Sequence, residues 1–255
     1  MPLSKAQIKY VRSLQQKKYR QKYNIFVVEG DKIVEESIRL RPAQIERLYG
    51  LAPWLDGRRE WLSALRNRVV EVTPAELKKI SGLQAPNQVL ALLRCPPVEL
   101  DPDRIRNGWS LFLDGIRDPG NLGAIWRIAD WFGISYLLCA PDCVDQYNPK
   151  VIQASMGAFL RVDCMACTLD GLLSTTGSLP ILGADLEGQP IFRGRFPDHG
   201  IVVIGSEAHG LSDAVKAQLT GRICIPRGPG GGAEALSAAV AAGIICARLR
   251  LDRGE

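Results

Sequence analysis

The stretch SLFLDGIRDPGNLGAIWR, residues 110–127, combines a strand, a loop and a helix. Its apolar start Ser110–Leu113 predicts a strand, and Gly115–Gly120 predicts a loop. Apolar residues then recur at helical spacing, at Leu122, Ile125, Trp126 and Ala129. Arg127 points away from that apolar face, so its guanidinium can either bind a phosphate bidentately or pair with Asp130 three residues later.

Two further segments have the same order of strand, polar loop and helix. Val203–Ser212 holds a glycine-bounded loop, and Ile225–Ser237 holds a glycine-rich loop before a last helix from about Glu234 to Leu251. Short apolar runs typical of buried parallel strands lie at Leu160–Cys164, Ile181–Ala184, Ile201–Ile204 and Ile223–Ile225. The pattern predicts an α/β fold with ligand sites at the carboxyl ends of its strands.

Three common enzyme classes are disfavoured by the same loops. Ser206, His209 and Asp213 could suggest a Ser-His-Asp triad, but the chain has no GxSxG elbow. Residues 228–233 fit G-x-G-x-x-A, yet the second strand and acidic residue of a dinucleotide site do not follow. The chain also lacks the Walker A motif GxxxxGK[ST], which argues against a P-loop nucleotidase.

The first part of the chain is predicted to form a separate α/β domain. Ser4 and Gln7 have the spacing of a capping box that begins a helix, and strand and helix patterns alternate after it. Pro96-Pro97 marks a linker. We therefore predict two domains, residues 1–97 and residues 98–255.

Positive charge is concentrated at the N-terminus. The net charge is +5, and the first 28 residues contain no acid but seven basic residues, namely Lys5, Lys9, Arg12, Lys17, Lys18, Arg20 and Lys22. Tyr10, Tyr19 and Tyr23 lie among them. Cations bind phosphates and aromatic rings stack on bases, so the segment indicates a nucleic-acid partner. A solvated basic helix is the alternative.

Neither a metal site nor a membrane segment is expected. Cys164 and Cys167 have CxxC spacing, but no second pair or neighbouring histidine completes a zinc site, so packing of the thiols is favoured. The longest mostly apolar stretch, Ala233–Ala247, is too short to cross a bilayer. The N-terminus lacks the apolar region of a secretory signal. We expect a cytoplasmic protein.

Taken together, the three loops resemble the motifs of the SpoU/TrmH family of RNA ribose 2′-O-methyltransferases. Asn121-x-Gly123-x-x-x-Arg127 resembles the first motif, Gly205-x-Glu207-x-x-Gly210-Leu211 the second, and residues 225–241 the third. Residues 148–158 also fit the family. FVVEG at Phe26–Gly30 is similar to its L30-like substrate-binding domain.

The resemblance implies a fold, a cofactor and partners. The fold is an L30-like α/β substrate-binding domain followed by an α/β knot, a C-terminal trefoil knot. The cofactor is S-adenosyl-L-methionine, the substrate is RNA, with ribosomal RNA favoured over transfer RNA, and the protein is a homodimer.

The resemblance also implies site residues. The implied catalytic residues are Asn121, Arg127, Glu207 and Ser237. The implied cofactor-binding residues are Leu182, Gly183, Ala184, Ile204, Gly205, Gly210, Ile225 and Leu236. The expected substrate-binding residues are Lys5, Lys9, Arg12, Lys17, Lys18 and Arg20. Because an arginine stays protonated, we expect Arg127 to clamp a phosphate and stabilise the developing alkoxide rather than act as a base.

The third motif departs from the family pattern. Ala235 and Ser237 stand where most members have serine and asparagine, and Arg227 stands where methionine is common. An inactive RNA-binding or ribosome-assembly module is therefore an alternative function. Methylation of transfer RNA is another.

Overall fold

The computed structural model describes residues 2–251, which divide into two compact units. The first unit comprises the chain up to Pro97 together with Tyr147–Leu160, and the second comprises Val98–Gln146 and the chain from Arg161 onward. The sequence did not predict that Tyr147–Leu160 belongs to the first unit. The boundary after residue 97 stays a prediction, and residues 252–255 of the expected second domain lie outside the described residues.

The secondary structure alternates along both units. In chain order, the helices are α1 (Lys5–Ser13), α2 (Lys17–Tyr23), α3 (Asp31–Leu40), α4 (Ala52–Asp56), α5 (Arg59–Leu62), α6 (Pro74–Ile80), α7 (Pro102–Arg106), α8 (Pro119–Trp131), α9 (Pro149–Ser155), α10 (Leu169–Thr176), α11 (Asp213–Lys216) and α12 (Ala238–Leu251). The strands are β1 (Ile25–Glu29), β2 (Ile45–Gly50), β3 (Val69–Glu71), β4 (Val89–Arg94), β5 (Trp109–Asp114), β6 (Tyr136–Cys139), β7 (Asp163–Ala166), β8 (Ile181–Pro190), β9 (Gly200–Gly205) and β10 (Gly221–Cys224).

The first unit is built on a four-stranded sheet in the order β1-β4-β2-β3. β4 runs antiparallel to both of its neighbours, whereas β2 and β3 are parallel. Because side chains alternate between the faces of a strand, Phe26 and Val28 enter one apolar core, and Ile25 and Val27 enter the other. Both faces of this sheet are therefore covered.

Helix α1 begins as the sequence predicts. Ser4 Oγ accepts a hydrogen bond from Gln7 N at 3.2 Å, and Gln7 Oε1 accepts one from Ser4 N at 2.9 Å, so the capping box is confirmed. Val11 and Leu14 are fully buried in the core of the first unit. The basic N-terminal segment is thus an integral part of that unit.

The second unit contains a six-stranded, entirely parallel sheet in the order β10-β8-β9-β5-β6-β7. The central strands β5 and β9 are almost wholly buried, as the apolar runs predict. One expected strand is displaced along the chain. Leu160 closes a 3₁₀ turn, and β7 begins only at Asp163.

The last helix starts later than the sequence indicates. α12 begins at Ala238 and not at Glu234, because Ser237 Oγ accepts a hydrogen bond from Val240 N at 3.3 Å and caps the helix there. Residues 234–237 are irregular. The trefoil knot stays a prediction. Within residues 2–251, none of the helices combines the length and apolar character needed to cross a membrane.

Candidate active site

Three loops of the second unit leave the carboxyl ends of nearby parallel strands. They follow β5, β9 and β10, with β8 between β9 and β10 in the sheet. Since these strands all run in one direction, the loops meet at one edge of the sheet, where open α/β sheets bind ligands. They are the same three segments that the sequence singles out.

A cavity of about 770 Å³ lies at this edge. Its walls come from residues 184–187 within β8, from the ends of β9 and β10 with the loops that follow them, and from the first half of α12. Six of the expected cofactor-binding residues line it, namely Ala184, Ile204, Gly205, Gly210, Ile225 and Leu236. The volume lies within the range of small-molecule sites, about 300–1,000 Å³.

Leu182 and Gly183 are missing from the described lining of the cavity. They pair with Val202 and Val203 inside the sheet, and Leu182 is buried. A Cβ on Gly183 would lie 2.8 Å from a methyl carbon of Leu211. These two residues lie in the sheet behind the cavity wall, and their contact with a cofactor stays a prediction.

Glu207 joins the three loops through one carboxylate oxygen. Its Oε1 accepts a hydrogen bond from Asn121 Nδ2 at 3.0 Å and another from Ala238 N at 2.9 Å. Asn121 lies in the first turn of α8, and Ala238 is the first residue of α12. A carboxylate at a helix N-terminus also interacts favourably with the helix dipole. Glu207 therefore holds the beginnings of two helices together beside the cavity.

Arg127 has an exposed side chain on α8. The pairing with Asp130 that its spacing allowed does not form, because Asp130 binds Arg161 at 2.8 Å. Among residues 2–251 the structure records no hydrogen bond or ion pair for the Arg127 guanidinium. It also does not belong to the described lining of the cavity. Arg127 is thus an exposed cation that is available to an external anion.

A tight turn connects Ser206 to Gly210 in the second loop. Ser206 N donates to Gly210 O at 3.1 Å, and Gly210 N donates to Ser206 O at 2.7 Å. Gly210 has a φ of +65°, a conformation that favours glycine. A Cβ on Gly205 would lie 2.5 Å from the backbone of Gly210. Both glycines are therefore required by the backbone path at the cavity wall.

The serine-histidine-aspartate alternative is not supported by the geometry of this turn. Ser206 Oγ accepts a hydrogen bond from Ala208 N at 3.3 Å, a local contact within the turn. The part of the chain that the structure describes contains no hydrogen bond between Ser206 and His209. The serine therefore lacks the neighbouring base that activates such a nucleophile.

The third loop contains the three departures from the family pattern. Ala235 and Leu236 line the cavity, and Leu236 is 46% exposed. The side chain of Ser237 serves as the cap of α12 and is not part of the described lining. Arg227, also in the lining, donates a hydrogen bond to the carbonyl of Glu234 and closes the glycine-rich loop.

The sequence analysis named only Ala184 from one wall of the cavity and missed the rest of that wall. β8 pairs with β10 at Gly183 and again at Gln189, so residues 184–188 leave the pairing, and residues 184–187 form that wall. A Cβ on Gly188 would lie 2.5 Å from Ile223 N, so this glycine allows the two strands to approach again. Arg222 Nη1 lies 3.5 Å from Asp185 Oδ2 at the same wall. In the sequence, Gly183 and Gly188 on either side of this segment are the signal that could have indicated it.

The basic residues of α1 and α2 differ in their exposure. Six of them have exposed side chains, namely Lys5, Lys9, Arg12, Lys17, Lys18 and Lys22. The tyrosines lie among them: the rings of Tyr10 and Tyr23 are 5.0 Å apart, and Lys18 Nζ lies 4.9 Å from the ring of Tyr19. The surface of α1 and α2, here called the basic face, therefore carries six exposed cations and three tyrosines.

Arg20 is the exception, and the expectation that it contacts RNA is corrected. It is only 3% exposed, and its guanidinium donates to Leu14 O at 2.8 Å and Gln15 O at 2.9 Å. These carbonyls end α1, so the buried cation holds the turn between α1 and α2. A buried arginine of this kind is structural.

The cysteines have the features of packed thiols. Cys139 and Cys164 lie with their sulfurs 3.7 Å apart, and burial raises the pKa of Cys167 to about 11. A thiol with a raised pKa is a weak nucleophile and a weak metal ligand. Residues 2–251 contain no group of His, Cys, Asp and Glu side chains that could hold a metal ion.

Known proteins resemble both parts of the chain. The sequence profile of the SpoU rRNA Methylase family matches residues 108–247, more than half of the chain. The profile of the MRM3-like substrate binding domain matches residues 5–91. The first match contains all three loops of the candidate site, and the second contains the basic N-terminal face.

Individual relatives are similar over most of their length. A 23S rRNA (uridine(2479)-2′-O)-methyltransferase of Streptomyces viridochromogenes is 29% identical over 72% of this chain and 67% of its own. The structure of a TrmH-family protein from Porphyromonas gingivalis is 36% identical, with a TM-score of 0.84 over 98% of this chain and 99% of its own. The fold also matches AviRb from Streptomyces viridochromogenes in complex with AdoMet, with 24% identity and a TM-score of 0.85 over 99% of both chains.

Proposed function

Because the chain belongs to the SpoU rRNA methylase family, we propose that it transfers a methyl group from S-adenosyl-L-methionine to a ribose 2′-hydroxyl of ribosomal RNA. The observation that carries the proposal is the junction at Glu207, which joins all three family motifs beside one cavity. The relative from Streptomyces viridochromogenes that methylates 23S rRNA at a 2′-oxygen supports the choice of reaction and RNA.

The cavity suits the proposed cofactor. Its volume of about 770 Å³ accommodates a nucleoside with an amino-acid side chain. Gly205, Gly210 and Gly228 bring bare backbone to the wall, which leaves amide and carbonyl groups accessible for hydrogen bonds to an adenine. The apolar side chains of Ile204, Ile225 and Leu236 can contact its flat ring. AdoMet bound to a protein of the same fold supports this assignment.

The protein's task in the reaction is mainly to position the reactants. When held by the cavity residues, S-adenosyl-L-methionine would supply an electrophilic methyl group for the ribose 2′-oxygen, and the hydroxyl proton would leave to phosphate or water. The exposed guanidinium of Arg127 clamps the adjacent phosphate and stabilises negative charge on the attacking oxygen. Asn121 and Glu207 position the helix that carries Arg127.

We infer that two copies of the chain complete the site. Arg127 and Asn121 both lie on α8, six residues apart, which places them about 120° apart around the helix axis. Arg127 is not part of the described lining of its own chain's cavity, and a second copy would bring such an arginine to it. Trp131 on α8 and Val240 on α12 are 83% and 50% exposed, and a second copy can cover these apolar side chains.

We predict a dimer in solution at micromolar concentration. Sedimentation equilibrium should give twice the 28.0 kDa mass of the chain. Trp131→Glu should shift the equilibrium towards monomer, because it would place a charge in the apolar interface. A wild-type protein that sediments as a monomer would contradict the inference of a shared site.

We propose that the exposed basic face of α1 and α2 binds the RNA. Its lysines suit phosphates, and its tyrosines can stack on unpaired bases. If about four of the six exposed cations contact phosphates, log affinity should fall with log salt at a slope of about −3 for single-stranded RNA. Binding of ribosomal RNA also supports the cytoplasm as the protein's compartment.

A variant in which neutral side chains replace lysines tests this face better than a deletion, because removing α1 would remove Val11 and Leu14 from the core. Changing Lys9, Lys18 and Lys22 to glutamine should make the salt slope shallower by about 2, since each phosphate contact contributes about 0.7. The matched control changes three other exposed lysines of the first unit, Lys32, Lys78 and Lys79. Equal slopes for the two variants would mean that this face does not bind RNA and is only a solvated helix surface.

The alternative of an inactive module rests on Ala235 and Ser237. Calorimetry with S-adenosyl-L-methionine and mapping of 2′-O-methyl groups in RNA from cells with and without the protein decide between the two. We expect cofactor binding and a methylated ribose in ribosomal RNA that disappears without the protein. If the missing methyl group is found in transfer RNA alone, the substrate is transfer RNA and not ribosomal RNA. If the protein does not bind S-adenosyl-L-methionine at millimolar concentration, the inactive module is favoured.

A further inference from the structure

The segment Phe192-Arg193-Gly194-Arg195-Phe196 lies between β8 and β9, outside the three motif loops. It alternates aromatic and cationic side chains around a central glycine. None of its residues lines the described cavity. The function proposed above does not use it.

The backbone of this segment is fixed at several points. Ile191, just before it, is fully buried and donates from its N–H to Cys224 O at 2.9 Å. Arg248 of α12 donates from Nη2 to Gly194 O at 2.8 Å, and its guanidinium lies 5.8 Å from the centre of the Phe196 ring. The segment is therefore held in place by β10 and the C-terminal helix.

Three side chains of this fixed segment are left exposed. Phe192 is 58% exposed, and the side chains of Arg193 and Arg195 are exposed. Over residues 2–251 the structure records no hydrogen bond or ion pair for either guanidinium. Other arginines of the second unit are paired, such as Arg104 with Asp163 and Arg106 with Asp103. A rigid surface with two unpaired cations beside an exposed ring is complementary to a phosphate backbone with an unstacked base.

The segment is also close to the cavity along the chain. Glu187 of β8 lines the cavity, and Phe192 follows five residues later. Five residues span at most about 18 Å, even when fully extended. A strand of RNA whose ribose reaches the cavity can thus reach Phe192 with nucleotides that flank the target.

We propose that residues 192–196 bind single-stranded RNA next to the methylated nucleotide. Arg193 and Arg195 bind two phosphates, and Phe192 stacks on one base. The inference rests on the proposed methyltransferase function and adds a substrate contact on the catalytic unit itself.

The test is a salt titration of the full chain binding a fluorescently labelled single-stranded oligo(U). The double variant Arg193→Gln/Arg195→Gln should make the slope of log affinity against log salt shallower by about 1.4, since each phosphate contact contributes about 0.7. Phe192→Ala should weaken binding at least about fivefold, whereas Phe192→Tyr keeps a ring that can stack. Arg104→Gln/Arg106→Gln removes the same charge from the same unit and serves as the matched control.

The outcomes separate this inference from the proposed function. Cofactor binding, measured by calorimetry, should be the same in the wild type and the Arg193/Arg195 variant. If the wild type binds cofactor and methylates RNA while the variant and the control have equal slopes, residues 192–196 are not an RNA contact. If the variant instead loses the dimer in sedimentation, the segment is a subunit contact and the proposal is wrong. A wild type that binds no cofactor overturns the proposed function, whatever the slopes show.

Discussion

Arg127→Ala is expected to reduce the rate of methyl transfer by about a hundredfold or more, the usual effect of losing a group that stabilises developing negative charge. Affinity for S-adenosyl-L-methionine should hardly change, because Arg127 does not belong to the described lining of its own chain's cavity. Single-turnover kinetics and cofactor calorimetry measure the two quantities separately.

The conservative variant sharpens this prediction. Arg127→Lys should recover only a small part of the rate, because an ammonium group lacks the planar fork that binds a phosphate through two parallel hydrogen bonds. An Arg127→Ala protein that kept more than about a tenth of the wild-type rate, a loss below about 1.4 kcal/mol in the barrier, would falsify the catalytic assignment.

Gly205→Ala should weaken cofactor affinity more than tenfold, or about 1.4 kcal/mol. The new Cβ would lie 2.5 Å from Gly210 C and O, which are backbone atoms that cannot rotate away. The turn from Ser206 to Gly210 would have to open, and Glu207 would move with it. Methyl transfer should therefore fall together with cofactor binding, as calorimetry and kinetics can show.

The matched control is a glycine of the third loop that lies outside the described lining of the cavity. A Cβ on Gly232 would meet nothing within 4 Å, and Gly232 is not part of that lining. Gly232→Ala should leave cofactor affinity within about twofold of the wild type, since the new methyl group meets no neighbouring atom. Circular dichroism of both variants checks that the second unit is folded. Equal affinities for the two alanine variants would show that the close approach at Gly205 is unimportant.

Much of the architecture was predictable because it depends on neighbours in the sequence. The capping box at Ser4 needs only Gln7, three residues away, and both hydrogen bonds form. The apolar run at Ile201–Ile204 predicts a buried strand, and β9 forms there. The apolar spacing predicts that the last helix begins near Glu234, whereas Ser237 caps the helix, so α12 starts four residues later, at Ala238.

The sequence by itself determined the α/β class, the parallel sheet and the three loops, since glycine, proline and apolar spacing act over a few residues. Only the tertiary structure decided which groups are available for chemistry. Glu207 accepts a hydrogen bond from Asn121, which is 86 residues away in the sequence. Arg161 donates to Asp130, which is 31 residues away, so Asp130 does not pair with Arg127 among the described residues. Arg20 has the same charge as its basic neighbours, yet the fold buries it against two carbonyls. Pairing and burial depend on distances between remote segments, and local spacing carries no information about those distances.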